Sequence, residues 1–285
     1  MNRREFLMTT TAGVGVTAAS GSVLASDNEQ QGRTSSQPEK SVTIDAYCAV
    51  GIDREYNLTE SALLSAMDKA GVERAVIAPP DRFLTALYRE GNESIRKIAA
   101  THRTRFIPAC SVNPWFGKQA IEELRRALGE GGRVAVLHPF VQGFLANDEL
   151  TFPFVEEAGR AKVPVYVHTG PPGNSTPWKV VDLSERFPDV DFIMGHCGAT
   201  DFWNDVIPAL KSSRNVYGES SLARPFNFAS YVEAVGSKRG VHGSFAPIND
   251  FGFEWEQMQK FLPPAFHADV FGNNLQALLL KRGPL

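Results

Sequence analysis

The chain has 285 residues, 43% of them hydrophobic and 21% charged, with a formal net charge of -3 at pH 7. That is enough apolar material to bury a sizeable core, in one large α/β domain or two small ones. The slight acidity gives no electrostatic footprint for nucleic acid, and three cysteines do not make a disulfide framework or a cysteine-rich zinc site.

Arg3 and Arg4 precede Phe6-Leu7 and a weakly apolar run of Gly, Ala, Thr and Val that ends in Val23-Leu24-Ala25. Paired arginines, a short apolar run and a small-residue cleavage site read as a twin-arginine export signal over residues 1–25. Threonines, serines and glycines interrupt the run, which is too short for a membrane span. The mature chain is therefore expected outside the cytoplasmic membrane, in the periplasm or beyond, without a membrane segment of its own. Residues 26–40 carry no large apolar side chain and read as a disordered, solvated linker. The folded domain is expected over residues 41–285.

From there strand-like and helix-like stretches alternate. Residues 42–47 read as a first strand. Glu60–Ala70 reads as a helix, with Leu63, Leu64 and Met67 on one face and Gly71 as its stop. A second strand over 74–78 ends at Pro79-Pro80, and a helix is expected over 83–100. Strands over 106–110 and 134–137 are followed by helices over 118–129 and 152–161. Residues 163–170 and 191–198 are two apolar runs, separated by a helix over 178–187, and each carries a histidine at its end: His168 and His196. Parallel neighbours need such a crossover connection. A helix over 201–210, a strand over 216–219, a helix over 228–235, a strand over 241–245 and a last helix over 274–281 complete the chain. Eight strand-then-helix units in one domain predict a (β/α)8 TIM barrel; a doubly wound open sheet gives the same local pattern, but no glycine-rich phosphate fingerprint follows the first strand.

In such barrels the chemistry sits at the C-terminal strand ends. His168 and His196 occupy equivalent positions on successive strands, which makes an acid–base pair the reading preferred over two packed histidines. His138 ends the fourth strand beside Pro139, and Glu219 ends the seventh. Trp178, after the Pro/Gly-rich loop 169–177, is available as a wall for an apolar ligand.

The order and spacing of several phrases now give a resemblance. They are the run from Met67 through Gly71 to Val76, the segment Val163-Pro164-Val165-Tyr166-Val167-His168, Arg186-Phe187-Pro188-Asp189 leading into Gly195-His196-Cys197-Gly198, and Asn215-Val216-Tyr217. Across some 200 residues they resemble the amidohydrolase-related branch of the metal-dependent TIM-barrel hydrolases, a branch that includes aromatic-acid decarboxylases and lactonases. The resemblance implies a divalent metal held by Asp-x-His-x-His at the end of strand one, by the strand-five histidine, and by an aspartate within Gly-Ser/Thr-Asp-x-Pro on strand eight. It also implies that the strand-six histidine positions substrate or a proton. This sequence departs from that pattern. Asp45 is kept, but Tyr47 and Ala49 stand at the two histidine positions and Phe245 at the aspartate position, so His168 alone of the four common ligands remains.

Two outcomes are open. Asp45, His168, His196 and Glu219 are able to form an unusual oxygen/nitrogen site for zinc or manganese, with Cys48 turned to the opposite face from Asp45 and Tyr47 by period-two alternation. Otherwise Phe245 and Ala49 leave an apolar pocket, and no cofactor is expected. The second is preferred. The function expected is an exported hydrolase or lyase acting on a small organic substrate, probed by His168 and His196 as acid–base groups with Asp45 in support. Tyr47, Glu219, His138, Trp178 and Phe245 are its expected substrate contacts. A non-catalytic ligand- or partner-binding barrel and a metal hydrolase with relocated ligands are the alternatives. Assembly into a homo-oligomer is left open.

Overall fold

Eight short strands run parallel around a barrel: β1 (Ile44–Ala49), β2 (Arg74–Ala78), β3 (Phe106–Cys110), β4 (Val134–Leu137), β5 (Val165–His168), β6 (Phe192–Gly195), β7 (Val216–Glu219) and β8 (Gly240–Val241). This computed structural model describes residues 42–54 and 57–285; the expected export signal and linker lie outside the described residues. Each strand pairs with the next, and the last closes on the first. Ala46 N donates to His242 O at 3.0 Å, Phe245 N to Tyr47 O at 3.1 Å and Ala49 N to Ala246 O at 2.7 Å. The expected (β/α)8 barrel is the observed fold. Among the described residues no helix is long and apolar enough to cross a membrane.

Alternation along the strands divides the core into two layers. Val76, Ala78, Ile107, Ala109, Val134, Val136, Tyr166 and Ile193 fill the barrel interior, while Ala75, Ile77, Phe106, Ala135, Leu137, Val165, Val167 and Phe192 pack outward under the helices. Parity thus sends Tyr166 and His168 inward together. Leu275, Leu278 and Leu279 of the last helix join the interior cluster, and Lys281 and Arg282 just beyond it bond Asp191 and Gly132 ahead of β6 and β4. That helix therefore closes the floor of the barrel and leaves the C-terminal strand ends as the mouth.

Three expectations about elements need correction. The helix expected over 83–100 is two, Arg82–Thr85 and Tyr88–Thr101, because the chain folds back so tightly that a Cβ on Gly91 would sit 2.6 Å from Phe83 Cβ. The strand expected over 241–245 ends its regular ladder at Val241, and Phe245 adopts a φ of 56°, which no strand tolerates. A helix over Phe251–Phe261 was not expected. Asp250 caps it by accepting from Phe253 N at 2.8 Å, and Phe251, Trp255 and Met258 form its buried face.

Candidate active site

The mouth is built on a bulge and a left-handed turn. In β1 the pairing with β2 shifts register between Asp45 and Cys48. Ala46 and Tyr47 consequently both belong to the interior, and Asp45 and Cys48 both face the outer layer. This overturns the strict alternation that put Cys48 opposite Asp45. Asp45 is fully buried and accepts from Tyr47 N (3.0 Å), Ser244 N (2.9 Å), Trp255 Nε1 (2.9 Å) and Cys48 Sγ (3.4 Å). Burial pushes its carboxyl up to about 6, against the pull of these donors. It ties β1 to the β8 extension and the Phe251–Phe261 helix, and makes no hydrogen bond to either expected catalytic histidine. Its assignment as a catalytic group is therefore not supported by its position.

After β6 the chain turns left-handed, with φ of 67°, 44°, 73° and 52° at His196, Cys197, Gly198 and Ala199. Such angles cost on the order of 1 kcal/mol or more at each non-glycine residue, and they persist only where surrounding contacts fix them. Two contacts do so here. His196 N donates to Glu219 Oε2 at 2.9 Å, and Gly198 N donates to Thr169 Oγ1 at 2.7 Å. The turn swings the His196 ring toward β5, so that His196 Nε2 lies 2.9 Å from His168 Nδ1.

A continuous hydrogen-bonded chain leads on from this pair. His196 Nδ1 is 2.8 Å from Ser221 Oγ, and Ser221 Oγ is 2.7 Å from Glu219 Oε2. Tyr166 OH (2.7 Å) and Ser221 N (2.7 Å) also donate to the Glu219 carboxylate. Gly195 and Gly243 make room for this cluster: a Cβ on Gly195 would meet the Tyr166 ring at 2.4 Å, and one on Gly243 would meet Glu219 Oε1 at 2.6 Å. Glu219 is fully buried with both oxygens engaged, so it sits behind the site and does not touch a ligand as expected.

The directions in the chain follow from donor counting. With Glu219 ionised, Ser221 gives its one hydroxyl proton to the carboxylate and must accept from His196 Nδ1–H. His196 Nε2 then carries only a lone pair and accepts from His168 Nδ1–H. Both rings are neutral, because burial, first, and the neighbouring imidazoles, second, hold His196 down at about 3 and His168 well below its ordinary value. His168 Nε2 is thereby left bare, buried and without a hydrogen-bond partner. His242 Nε2, just beyond β8, shares that state, but His168 Nε2 alone of the two ends a hydrogen-bonded chain between neighbouring imidazoles.

Aromatic rings surround it. His138, half-buried and held down at about 4 by burial, stacks on His168 with centroids 4.0 Å apart. Tyr47 meets His168 edge-on at 4.8 Å, and Phe245 lies 5.7 Å from His168 and 4.4 Å from His196. Tyr47, His138 and Phe245 are thus brought to the histidine pair. Trp178 is exposed in the first turn of the next helix and shares no ring contact with that pair. Ser221 and Tyr166 are site residues that no motif in the sequence assigns, though each lies two residues from a candidate, Glu219 and His168, and so on the same face by parity.

The donor set does not fit a divalent metal. Such an ion needs three or four N, O or S ligands about 2 Å away, and around the His168 ring stand the phenyl ring of Phe245, the phenol of Tyr47 and the face of His138. Both His196 nitrogens and both carboxylates are committed elsewhere, and among the described residues no three His, Cys, Asp or Glu side chains could hold a metal together. The oxygen/nitrogen site proposed for Asp45, His168, His196 and Glu219 is not formed.

A closed parallel barrel with two buried histidines in contact at its C-terminal strand ends defines a TIM barrel with a candidate site at its mouth. The amidohydrolase family model matches residues 53–279, and the chain belongs to that family. None of the curated proteins compared matches the sequence. Among solved structures, 5-carboxyvanillate decarboxylase LigW from Sphingomonas paucimobilis is similar at a TM-score of 0.70 and 16% identity, over 84% of this chain and 99% of that one. The 2,6-dihydroxybenzoate decarboxylase from Rhizobium gives 0.69 and 15%, over 85% and 100%. A dihydroxybenzoic acid decarboxylase from Polaromonas sp. JS666, with bound manganese and 2-nitroresorcinol, gives 0.67 and 14%, over 85% and 98%. At these identities the likeness is one of fold.

Proposed function

We propose that this amidohydrolase-family barrel is a hydrolase or lyase that works on a small organic substrate by proton transfer at His168 Nε2, without the divalent metal that the resemblance implies. The observation that carries this reading is the unbroken chain from His168 Nδ1 through His196 (2.9 Å) and Ser221 (2.8 Å) to Glu219 (2.7 Å). Neither histidine can hold a positive charge in so dry a site. Together with the chain they can still move a proton. As the substrate gives a proton to His168 Nε2, His168 passes its Nδ1 proton to His196 Nε2. His196 passes its Nδ1 proton to Ser221 Oγ, and Ser221 passes its own to Glu219 Oε2. The product is the substrate's conjugate base, neutral rings and a neutral Glu219; the reverse sequence returns the proton to a leaving group. Burial holds Glu219 up at about 7 despite its four donors, which suits a group that takes and returns a proton near neutral pH. The export signal read in residues 1–25 would deliver this activity outside the cytoplasmic membrane.

The test uses any substrate found to turn over. Ser221→Ala cuts the chain while leaving Glu219 and both histidines in place, and His168→Phe removes the first acceptor. Each should lower kcat by about 10²- to 10⁴-fold, the usual worth of a positioned acid–base group. Ser221→Ala should leave KM nearly unchanged, since Ser221 stands behind the ligand. Chelators should leave wild-type turnover intact. Full activity in both variants would sink the mechanism, and activity that vanishes with chelation would favour a metal hydrolase with relocated ligands.

A further inference from the structure

The geometry points to an uncharged, flat, apolar molecule with one acidic O–H or N–H as the ligand of this mouth, in place of a carboxylate anion. This rests on the proton-transfer reading above and adds the chemistry of what is bound. Four observations carry it. First, the direction of the chain leaves His168 Nε2 as a lone pair, which accepts from a donor and repels the lone pairs of a carboxylate. Second, no lysine or arginine hydrogen-bonds His138, His168 or His196 or bears on them electrostatically among the described residues. An anion entering here would lose its water without a cationic partner, a cost on the order of several kcal/mol in a dry site. Third, the surroundings of His168 are ring faces and edges from Tyr47, His138 and Phe245, which suit a planar apolar body.

Fourth, the rim of the mouth carries exposed aromatic rings. Trp115, Phe140, Trp178, Trp203, Phe226 and Phe253 follow β3, β4, β5, β6, β7 and β8 in turn, each in or beside the first turn of the next helix, and each is between 45% and 62% exposed. Six consecutive connections each presenting an aromatic ring to solvent on the same end of the barrel supply apolar surface beside the site, interspersed with exposed charges such as Arg82, Asp201 and Arg224. His168 Nε2 itself is covered, so the ligand's donor reaches it when a covering ring moves. Phe245, at 9% exposure, is the outermost of the buried rings touching His168.

The test compares three probes of one shape on the full chain near neutral pH: 2-naphthol, which is uncharged and donates; 2-naphthoate, which is anionic; and naphthalene, which does neither. Calorimetry should show 2-naphthol binding at least about tenfold more tightly than either of the others, the difference that one satisfied buried hydrogen bond supplies. In ¹⁵N-histidine spectra of the free protein, His168 should carry its proton on Nδ1, and 2-naphthol should shift the Nε2 resonance. His168→Phe, which keeps a ring of similar size, should erase the preference for 2-naphthol. Equal or tighter binding of 2-naphthoate overturns the inference, as does failure of 2-naphthol to bind, an unchanged Nε2 signal, or a preference that survives His168→Phe. None of these readouts needs turnover. If 2-naphthol binds as stated while Ser221→Ala and His168→Phe keep full activity on a substrate, the proton-transfer reading falls and the binding chemistry stands.

Discussion

At the scale of single residues, Phe245 shows how an aromatic ring fills a position where the resemblance implies a metal ligand. It stands where the resemblance puts an aspartate, its ring lies 4.4 Å from His196 and 5.7 Å from both His168 and Tyr47, and its backbone holds a φ of 56°. A bulky residue in that region is an outlier, strained by about 1–2 kcal/mol relative to glycine. The strain persists because Phe245 N is tied to Tyr47 O at 3.1 Å and Phe245 O accepts from Ile248 N at 3.0 Å. Phe245→Ala and Phe245→Gly both lose the ring, but only glycine releases the backbone. Phe245→Gly should therefore be more stable than Phe245→Ala by about 1 kcal/mol, opposite to the usual order in which glycine costs more through the unfolded chain. Urea midpoints of the two variants, with equal m-values, measure this; an alanine variant that is the more stable would show that position 245 relaxes out of the left-handed region. That a phenylalanine stands where the resemblance implies an aspartate was legible in the sequence. The sign of φ was not, because it depends on closure of the barrel, where Ala46 pairs with His242, Tyr47 with Phe245 and Ala49 with Ala246.

Among elements, the turn His196–Ala199 decides whether the two histidines meet at all. Placing them at equivalent strand ends needed only the apolar runs and their parity, and eight strands were legible for the same reason. The contact between the rings was not, since an extended continuation of β6 would carry His196 away from β5. The Phe251–Phe261 helix is only weakly marked in the sequence despite a cap at Asp250 and apolar residues at 251, 255 and 258, because Gly252 weakens the helical pattern at its start. The Asp45–Cys48 contact needed the bulge in β1, which no local pattern marks. Within the turn, Ala199 is the residue least suited to its place: φ 52° with ψ -144° is a region that glycine alone occupies freely. Ala199→Gly should raise stability by about 1 kcal/mol, as relief of strain outweighs the added freedom of the unfolded chain. A thermal or urea transition that moves down instead would mean that the Ala199 methyl, against which a Cβ on Gly170 would sit at 3.0 Å, contributes more by packing than its backbone loses by strain.

For the molecule as a whole, the upper barrel is a set of titratable groups enclosed in neutral form, and that sets the dependence of stability on pH. Burial holds His138 at about 4, His196 and His242 at about 3, and His168 well below 6.5. Unfolding exposes all four, and the unfolded chain then binds protons that the folded chain refuses. Their contribution is complete above 6.5 and is lost as pH falls toward 3. Asp45 (about 6), Glu219 and Glu254 (both about 7) act in the opposite sense. Raised by burial, they stay protonated in the folded chain while the unfolded chain has already released its protons near 4, so they cost stability as pH rises through that window. Four histidines oppose three carboxylates. The urea midpoint of the wild type should accordingly peak near neutral pH and fall on acidification, less steeply than the histidines alone dictate. Glu219→Gln separates the two sets, because it removes one carboxylate and leaves every histidine. The difference in stability between wild type and Glu219→Gln should shrink as pH rises from 4.5 to about 7, where Glu219 ionises in the folded chain at the expense of its burial. Curves that run parallel across that range would mean that Glu219 is ionised throughout. It would then be a fixed anchor for Tyr166, Ser221 and the His196 turn, and the end of a hydrogen-bonded chain that carries no proton.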